Sequence, residues 1–194
     1  KEVLKCFTHL FVQNEEAVRL LQEIGVTCTT IVGDTRFDRV LDICRQAKEL
    51  PLVERFKGNN DCTLVAGSSW APDEDLFIPY FNRHPEMKLI IAPHVISDSH
   101  LQEIIGKLKR PVVRYTQATE DNVQKADCLI IDCFGLLSSI YRYGEMAYIG
   151  GGFGVSIHNT LEAAVYGIPF IFGPNNRKFM EAQGLKACKG GFEI

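Results

Sequence analysis

No run of apolar residues in this chain approaches the roughly 20 that a membrane-spanning helix needs. No cluster of Lys and Arg marks it for nucleic acid or an anionic membrane surface. Its 21 basic residues stand against 24 acidic ones, a formal net charge of −3 at pH 7. The cysteines Cys6, Cys28, Cys44, Cys62, Cys128, Cys133 and Cys188 form no C-x-x-C pair. An odd number scattered through apolar segments reads as reduced core thiols of a cytosolic protein, not as a disulfide framework or a zinc site. The G-x-S-x-G, H-E-x-x-H and G-x-x-x-x-G-K-[ST] signatures are missing too. The glycine run Gly150-Gly151-Gly152-Phe153-Gly154 does not fit G-x-G-x-x-G and lies late in the chain, which disfavours a nicotinamide dehydrogenase. There is no internal repeat and no low-complexity segment. Residue 1 is Lys with no signal peptide, and a new strand starts in the last few residues, so the 194 residues read as a piece of a longer protein.

What is present is an alternation of strand-length and helix-length segments in an ordinary soluble composition, 46% hydrophobic and 23% charged. Apolar and β-branched runs at residues 8–12, 29–32, 62–66, 88–92, 112–115, 128–132, 146–149 and 170–172 predict strands. Amphipathic stretches at 14–24, 37–47, 72–81, 97–108, 136–143, 159–166 and 176–183 predict helices. Asn14 caps the first helix, with Glu15 and Glu16 in its opening turn, and Gly25 ends it. Pro72 opens another, with Asp73, Glu74 and Asp75 in its first turn. Residues 50–60, with Pro51, Gly58 and Asn59-Asn60, read as a short helix and loop and are the candidate linker. The alternation predicts an α/β fold: a doubly wound, Rossmann-like parallel sheet with helices on both faces. Ligands of such sheets bind outside the carboxyl ends of the strands.

Four strand-to-helix junctions on that edge are polar or glycine-rich: Gly67-Ser68-Ser69, Pro93-His94, Cys133-Phe134-Gly135-Leu136, and residues 150–162. Ser68 and Ser69 offer hydroxyls to phosphate oxygens, or cap the next helix. His94 bonds a phosphate or a base, or is a loop histidine in solvent. The glycine turn brings backbone N–H groups near a bound anion, and a helix opening at Asn159 adds its partial positive charge. His158 contacts the ligand or orients Asn159. Asn159 and Glu162 have capping-box spacing. Glu162 is equally suited to accept bonds from ribose hydroxyls, since an ionised carboxylate only accepts. Arg177 and Lys178, after Gly173-Pro174-Asn175-Asn176, reach an anionic group or remain solvated surface charge. Together these junctions describe a nucleotide-sugar or phosphosugar site.

Read in order, the junctions resemble one family. Gly150-Gly151-Gly152-Phe153, then His158-Asn159-Thr160-Leu161-Glu162-Ala163-Ala164, then Gly167-Ile168-Pro169 and Phe172-Gly173-Pro174 are similar to the G-G-S-F … G-H-N-P-L-E … G-x-P-V … G-P pattern of the Kdo (3-deoxy-D-manno-octulosonic acid) transferases. Val32-Gly33-Asp34-Thr35-Arg36-Phe37-Asp38 resembles their V-x-G-[ND]-x-K-F-D segment, and Ala66-Gly67-Ser68-Ser69 their A-G-S-T. The resemblance covers nearly the whole chain.

It implies the C-terminal, donor-binding half of a GT-B glycosyltransferase. Residues 1–50 would be the end of the N-terminal domain and the interdomain segment. Residues 51–194 would be a nucleotide-sugar-binding domain truncated at its C-terminus. The implied reaction transfers Kdo from CMP-Kdo to a lipid A precursor in lipopolysaccharide biosynthesis, by inverting displacement without metal or cofactor. The general base would lie in the missing N-terminal domain, leaving no catalytic residue in this fragment. Donor-nucleotide contacts carry over to Ser68, Ser69, Pro93, His94, Phe134, Gly135, Leu136, Gly151, Gly152, Asn159, Thr160, Leu161 and Glu162. The implied partners are the CMP-sugar and the lipid A precursor, not nucleic acid. The full protein would touch the cytoplasmic face of the bacterial inner membrane through its missing part, and the fragment itself would be soluble. Three positions depart from the family pattern. Pro93-His94-Val95 stands for Pro-Arg-His, which removes a cation that Arg114 or Arg177 would have to replace. Thr160 stands for the N-P-L-E proline, and Asn175 for the histidine of G-P-H. Two other readings stay open: a GT-B enzyme or epimerase using a UDP-sugar, and a non-catalytic nucleotide-binding module.

Overall fold

The computed structural model describes residues 1–194, which divide into two compact units, Lys1–Asp42 and Ile43–Ile194. In the first, β1 (Leu10–Val12) and β2 (Thr29–Ile31) pair in parallel around α1 (Glu15–Gln22). The Asn14 side chain accepts from the Ala17 N–H at 2.9 Å, as the sequence predicts. Gly25 takes φ +82° beyond the helix end. α2 (Arg36–Arg45) spans the division between the units.

The second unit runs α3 (Pro51–Lys57), β3 (Thr63–Ser69), α4 (Ala71–Arg83), β4 (Lys88–Pro93), α5 (Asp98–Lys107), β5 (Val112–Arg114), α6 (Glu120–Lys125), β6 (Cys128–Ile130), α7 (Leu137–Ile140), β7 (Met146–Ile149), α8 (Leu161–Ala164), β8 (Phe170–Phe172), α9 (Met180–Ala187) and β9 (Gly191–Glu193). Its seven strands form one sheet in the order β5-β6-β4-β3-β7-β8-β9. Every pair is parallel. Side chains alternate faces along a strand, and the core divides accordingly. Val65, Ile90, Leu129, Ala147 and Ile149 pack with Val53 and Phe56 of α3, Val123 of α6 and Ile140 of α7. Leu64, Ala66, Leu89, Ile91, Ile130 and Tyr148 pack with Phe77, Ile78 and Phe81 of α4 and Leu101 and Ile104 of α5. Helices on both faces of a parallel sheet make the doubly wound fold that the alternation predicts. The chain builds β4, β5 and β6 on one side of β3, then crosses to lay β7, β8 and β9 on the other. That reversal puts the switch-point crevice at the carboxyl end of β3.

Several local expectations are corrected. The short helix expected within residues 50–60 forms as α3, but it is no linker, since Val53 and Phe56 lie at 0% exposure in the core. α6 is not among the predicted helices; Thr119 and Asn122 cap it reciprocally. The helix expected at 176–183 starts only at Met180, because the buried Asn176 side chain instead bonds the Gly173 carbonyl (3.0 Å) and Glu193 (2.9 Å). The helix expected over 159–166 is the single turn α8. Of the seven free cysteines only Cys128 is buried, while Cys6, Cys28 and Cys188 are exposed, so the thiols are not core residues as a group. No helix is long and apolar enough to cross a membrane.

Candidate functional site

The rim is built by close backbone approach. The register of β3 against β4 shifts between Gly67 and Ser69, and Ser68 sits at φ +53°, a left-handed conformation that is strained for a residue with a side chain. The glycines opposite have no room for one. A Cβ on Gly150 would lie 2.2 Å from the Ser68 carbonyl oxygen, and one on Gly67 would lie 1.9 Å from the Tyr141 hydroxyl.

Asp73, in the first turn of α4 and 1% exposed, ties this rim together. Its Oδ2 accepts from the Trp70 N–H (2.9 Å) and the Gly151 N–H (2.9 Å), and its Oδ1 accepts from the Tyr148 hydroxyl (2.8 Å). Burial, reinforced by Asp73, pushes the Tyr148 phenol up, so it stays a donor. The glycine turn is thus held from beneath by a carboxylate, and the Gly151 N–H is not free for a ligand anion as the sequence reading expects. The triplet Asp73-Glu74-Asp75 has the Asp-x-Asp spelling of metal-dependent glycosyltransferases, but its carboxylates are engaged elsewhere. Asp73 holds the turn, the fully buried Glu74 accepts from Ser69 Oγ (3.0 Å) and lies 3.1 Å from His100 Nε2, and Asp75 pairs with Lys107 (2.8 Å). Burial pushes the Glu74 carboxyl up against the pull of His100 and Ser69. No three His, Cys, Asp or Glu side chains gather as a metal site.

Two cavities open on the rim. One, of about 310 Å³, is lined by Trp70, Pro72, Asp73, Gly151, Phe153 and His158, among others. The second, of about 220 Å³, is lined by Ser68, Pro93, His94, Cys133, Phe134 and Gly135, with apolar neighbours. Between them lie three rings. Trp70 Nε1 donates to His158 Nε2 at 3.1 Å, and the His94 ring stacks on both Trp70 (4.6 Å) and His158 (4.5 Å).

The structure therefore gathers Ser68, Pro93, His94, Phe134 and Gly135 on one cavity and Gly151 on the other. Gly152 packs against Gly173, leaving no space for a side chain. Leu136 is half-buried against the core ahead of α7. Asn159 and Glu162 line neither cavity, and they bond each other (Nδ2 to Oε1, 3.0 Å). Asn159 Oδ1 also accepts from the Leu161 N–H (3.1 Å), so Thr160 takes the N-cap position and the expected capping box does not form. Three residues expected at the ligand lie beneath the surface. Ser69 and Thr160 are at 0% exposure and Leu161 at 2%. The Ser69 hydroxyl is spent on Glu74, and that of Thr160 meets no partner.

Arg114 does not replace the missing cation. Its Nε is bonded to Asp132 Oδ2 at 2.7 Å, and its Nη1 lies 3.5 Å from Asp98. Burial would raise the Asp132 carboxyl, but the Thr116 hydroxyl and N–H together with Arg114 outweigh it and hold it low. Arg177 and Lys178 line a separate cavity of about 450 Å³ with Ser156 and Asn175. Sequence reasoning missed Trp70 and Asp73 as site residues. The only signal for Trp70 was that it is the single tryptophan of the chain, standing directly after a strand end.

A seven-stranded, doubly wound parallel sheet with this rim has the fold of the C-terminal, Rossmann-like half of a GT-B glycosyltransferase. The solved C-terminal CMP-Kdo binding domain of WaaA from Acinetobacter baumannii superposes with a TM-score of 0.59 over 81% of each chain, at 19% identity. No protein-family model matches the chain. Along its length it is similar to the 3-deoxy-D-manno-octulosonic acid transferases. It is 26% identical to that of Rickettsia bellii (strain RML369-C), over 99% of this chain and 47% of the relative. It is 27% identical to that of Aquifex aeolicus (strain VF5), over 100% of this chain and 52% of the relative. The chain spans about half the length of these curated relatives.

Proposed function

We propose that this chain is the donor-binding half of a glycosyltransferase that moves Kdo from CMP-Kdo to a lipid A precursor in lipopolysaccharide biosynthesis. The observation that carries the reading is the whole-length likeness to Kdo transferases, joined to the convergence of the motif-bearing junctions after β3, β4, β6 and β7 on one rim. In this reading Ser68, Pro93, His94, Phe134 and Gly135 receive the nucleotide in the smaller cavity. The Gly151-Gly152 turn and the Asn159–Glu162 pair bound the donor on the β7 side, where the Glu162 carboxylate accepts from ribose hydroxyls. Gly152, Ser69, Thr160 and Leu161 support these groups from below.

An acceptor hydroxyl attacks the anomeric carbon of Kdo with inversion and gives its proton to the general base, while the bond from that carbon to the phosphate oxygen breaks and CMP leaves with its phosphate charge. The Ser68 hydroxyl on the smaller cavity is a donor fixed in advance for that charge, with no metal or cofactor. The general base and the acceptor-binding surface belong to the part of the enzyme outside this chain, as does peripheral contact with the cytoplasmic face of the inner membrane.

Calorimetric titration of CMP, with UMP as control and a Glu162→Ala variant alongside, tests the reading. Binding of CMP over UMP, weakened in the variant, is expected. A preference for UMP would sink the Kdo assignment in favour of a UDP-sugar enzyme, and absence of binding by either nucleotide would remove the donor site from this chain.

A further inference from the structure

The three rings on the rim come from three different junctions: Trp70 after β3, His94 after β4, and His158 after the glycine turn. Trp70 and His158 are joined through the indole N–H, and the His94 imidazole lies across both, with interplanar angles of 25° and 27°. The Trp70 bond decides where protons sit. His158 Nε2 has to accept, so His158 is neutral and carries its proton on Nδ1. Burial, and His94 beside it, hold His158 below the usual imidazole range. A proton arriving at the array has one ring left to occupy. The His94 backbone N–H is tied to the Ser69 carbonyl (2.9 Å), but its ring takes part in stacking alone. An imidazolium over an indole face also gains cation–π attraction.

The charged and titratable groups around His94 leave it no competitor. From the β3–α4 side there is Asp73, buried and bonded to three donors. From the β7 side there is neutral His158. From the β6 side there is Cys133, whose thiol burial pushes up, and Asp132 behind it, occupied by Arg114 and Thr116. No Lys or Arg lines either cavity. An anion that enters them finds no permanent countercharge.

We propose that His94 is a proton-gated anion anchor: a phosphate-bearing ligand binds this rim together with one proton taken from solvent onto the His94 ring, and the Trp70–His158 plate holds the resulting imidazolium in place. This rests on the nucleotide-binding reading above and adds to it the group that meets the phosphate and the pH dependence that follows. No bond in the ligand is made or broken in the step.

The test is calorimetry of CMP binding to the 194-residue chain between about pH 7 and 8.5, where a phosphate monoester with a second pKa near 6 no longer titrates. Phosphate-free buffers of high and low ionisation enthalpy measure proton uptake, and cytidine serves as the phosphate-free control. Uptake approaching one proton with CMP and none with cytidine is expected, with CMP affinity falling toward tenfold per pH unit at the alkaline end. His94→Gln should abolish the uptake, and His94→Arg should bind CMP with no pH dependence. CMP binding that is flat in pH and takes up no proton overturns the anchor while leaving the nucleotide reading intact. If neither CMP nor cytidine binds, the nucleotide reading falls. Pyrophosphate titration followed by the His94 ring resonances then decides the anchor by itself: a proton-coupled shift upholds it for another phosphate ligand, and no shift overturns it.

Discussion

Replacing Asp73 by alanine should cost this fold about 3–5 kcal/mol, a large part of the roughly 5–15 kcal/mol that holds a domain together. The figure comes from the donors left behind. Tyr148 is 1% exposed, and the Gly151 N–H lies in a buried turn; each loses the acceptor it has in Asp73. An orphaned buried donor costs about 1–3 kcal/mol. The Trp70 N–H adds less, because Trp70 is 40% exposed and water can reach its neighbourhood. Asp73→Asn is the discriminating partner variant. Its amide oxygen can keep both backbone bonds, and its amide nitrogen can donate to the Tyr148 oxygen, which also accepts. Its cost should be nearer 1 kcal/mol. Urea unfolding at constant slope measures both: with a slope of about 2 kcal/mol/M the alanine midpoint falls by about 1.5 M or more, the asparagine midpoint by about 0.5 M. An alanine variant within about 1 kcal/mol of the parent, or an asparagine variant as damaged as the alanine one, would refute the argument that these three bonds hold the glycine turn.

Two further outcomes follow from the rim. Ser68→Gly relieves a left-handed backbone worth about 1–2 kcal/mol and gives back about 0.5–1 kcal/mol of unfolded-state entropy, so the melting temperature should hold or rise. The same change takes a hydroxyl out of the smaller cavity and should weaken CMP about fivefold; unchanged affinity would remove that hydroxyl from the site. For His158 the folded-state pKa is lowered, first by burial and then by His94. The unfolded chain therefore takes up the proton first as pH falls. The stabilisation is present above the unfolded pKa of about 6.5 and is lost on acidification. Thermal midpoints should fall from about pH 7.5 to 5.5, and His158→Phe, which retains a ring against His94, should flatten that profile. An equally steep profile in the variant would assign the loss to another group.

Periodicity made most of the sheet legible. Leu64 to Ala66, Leu89 to Ile91 and Cys128 to Ile130 are apolar on both faces because both faces are covered. Short unbroken runs of this kind, spaced by helical segments, are what a parallel sheet between two helical layers requires. The turn at residues 150–154 was legible because glycines are needed where backbones touch. Contacts formed at a distance were not legible. Nothing near Asp73 in sequence announces that it reaches Gly151, so it read as an ordinary first-turn acid. Trp70, His94 and His158 become one array only through the strand order. α6 escaped notice because its capping partner is Asn122 rather than Glu or Gln, in a stretch of polar residues that resembles a loop. Asn176 misled in the opposite direction: it has the residue type of a helix cap but spends its side chain on Gly173 and Glu193.

The strand order carries a consequence for how the chain acquires its structure. β3 is the middle strand, and its neighbours are β4, the next strand along the chain, and β7, which is reached only after β5 and β6 have been laid down on the far side. While a ribosome is still making residues 94–145, one edge of β3 has no partner, although its residues Thr63 to Ala66 end up fully or nearly fully buried. Long-range parallel pairing of this kind is slow to form and exposes strand edges in the interval. The crevice at the end of β3 and the vulnerable half-made sheet during synthesis are therefore two results of the same crossing.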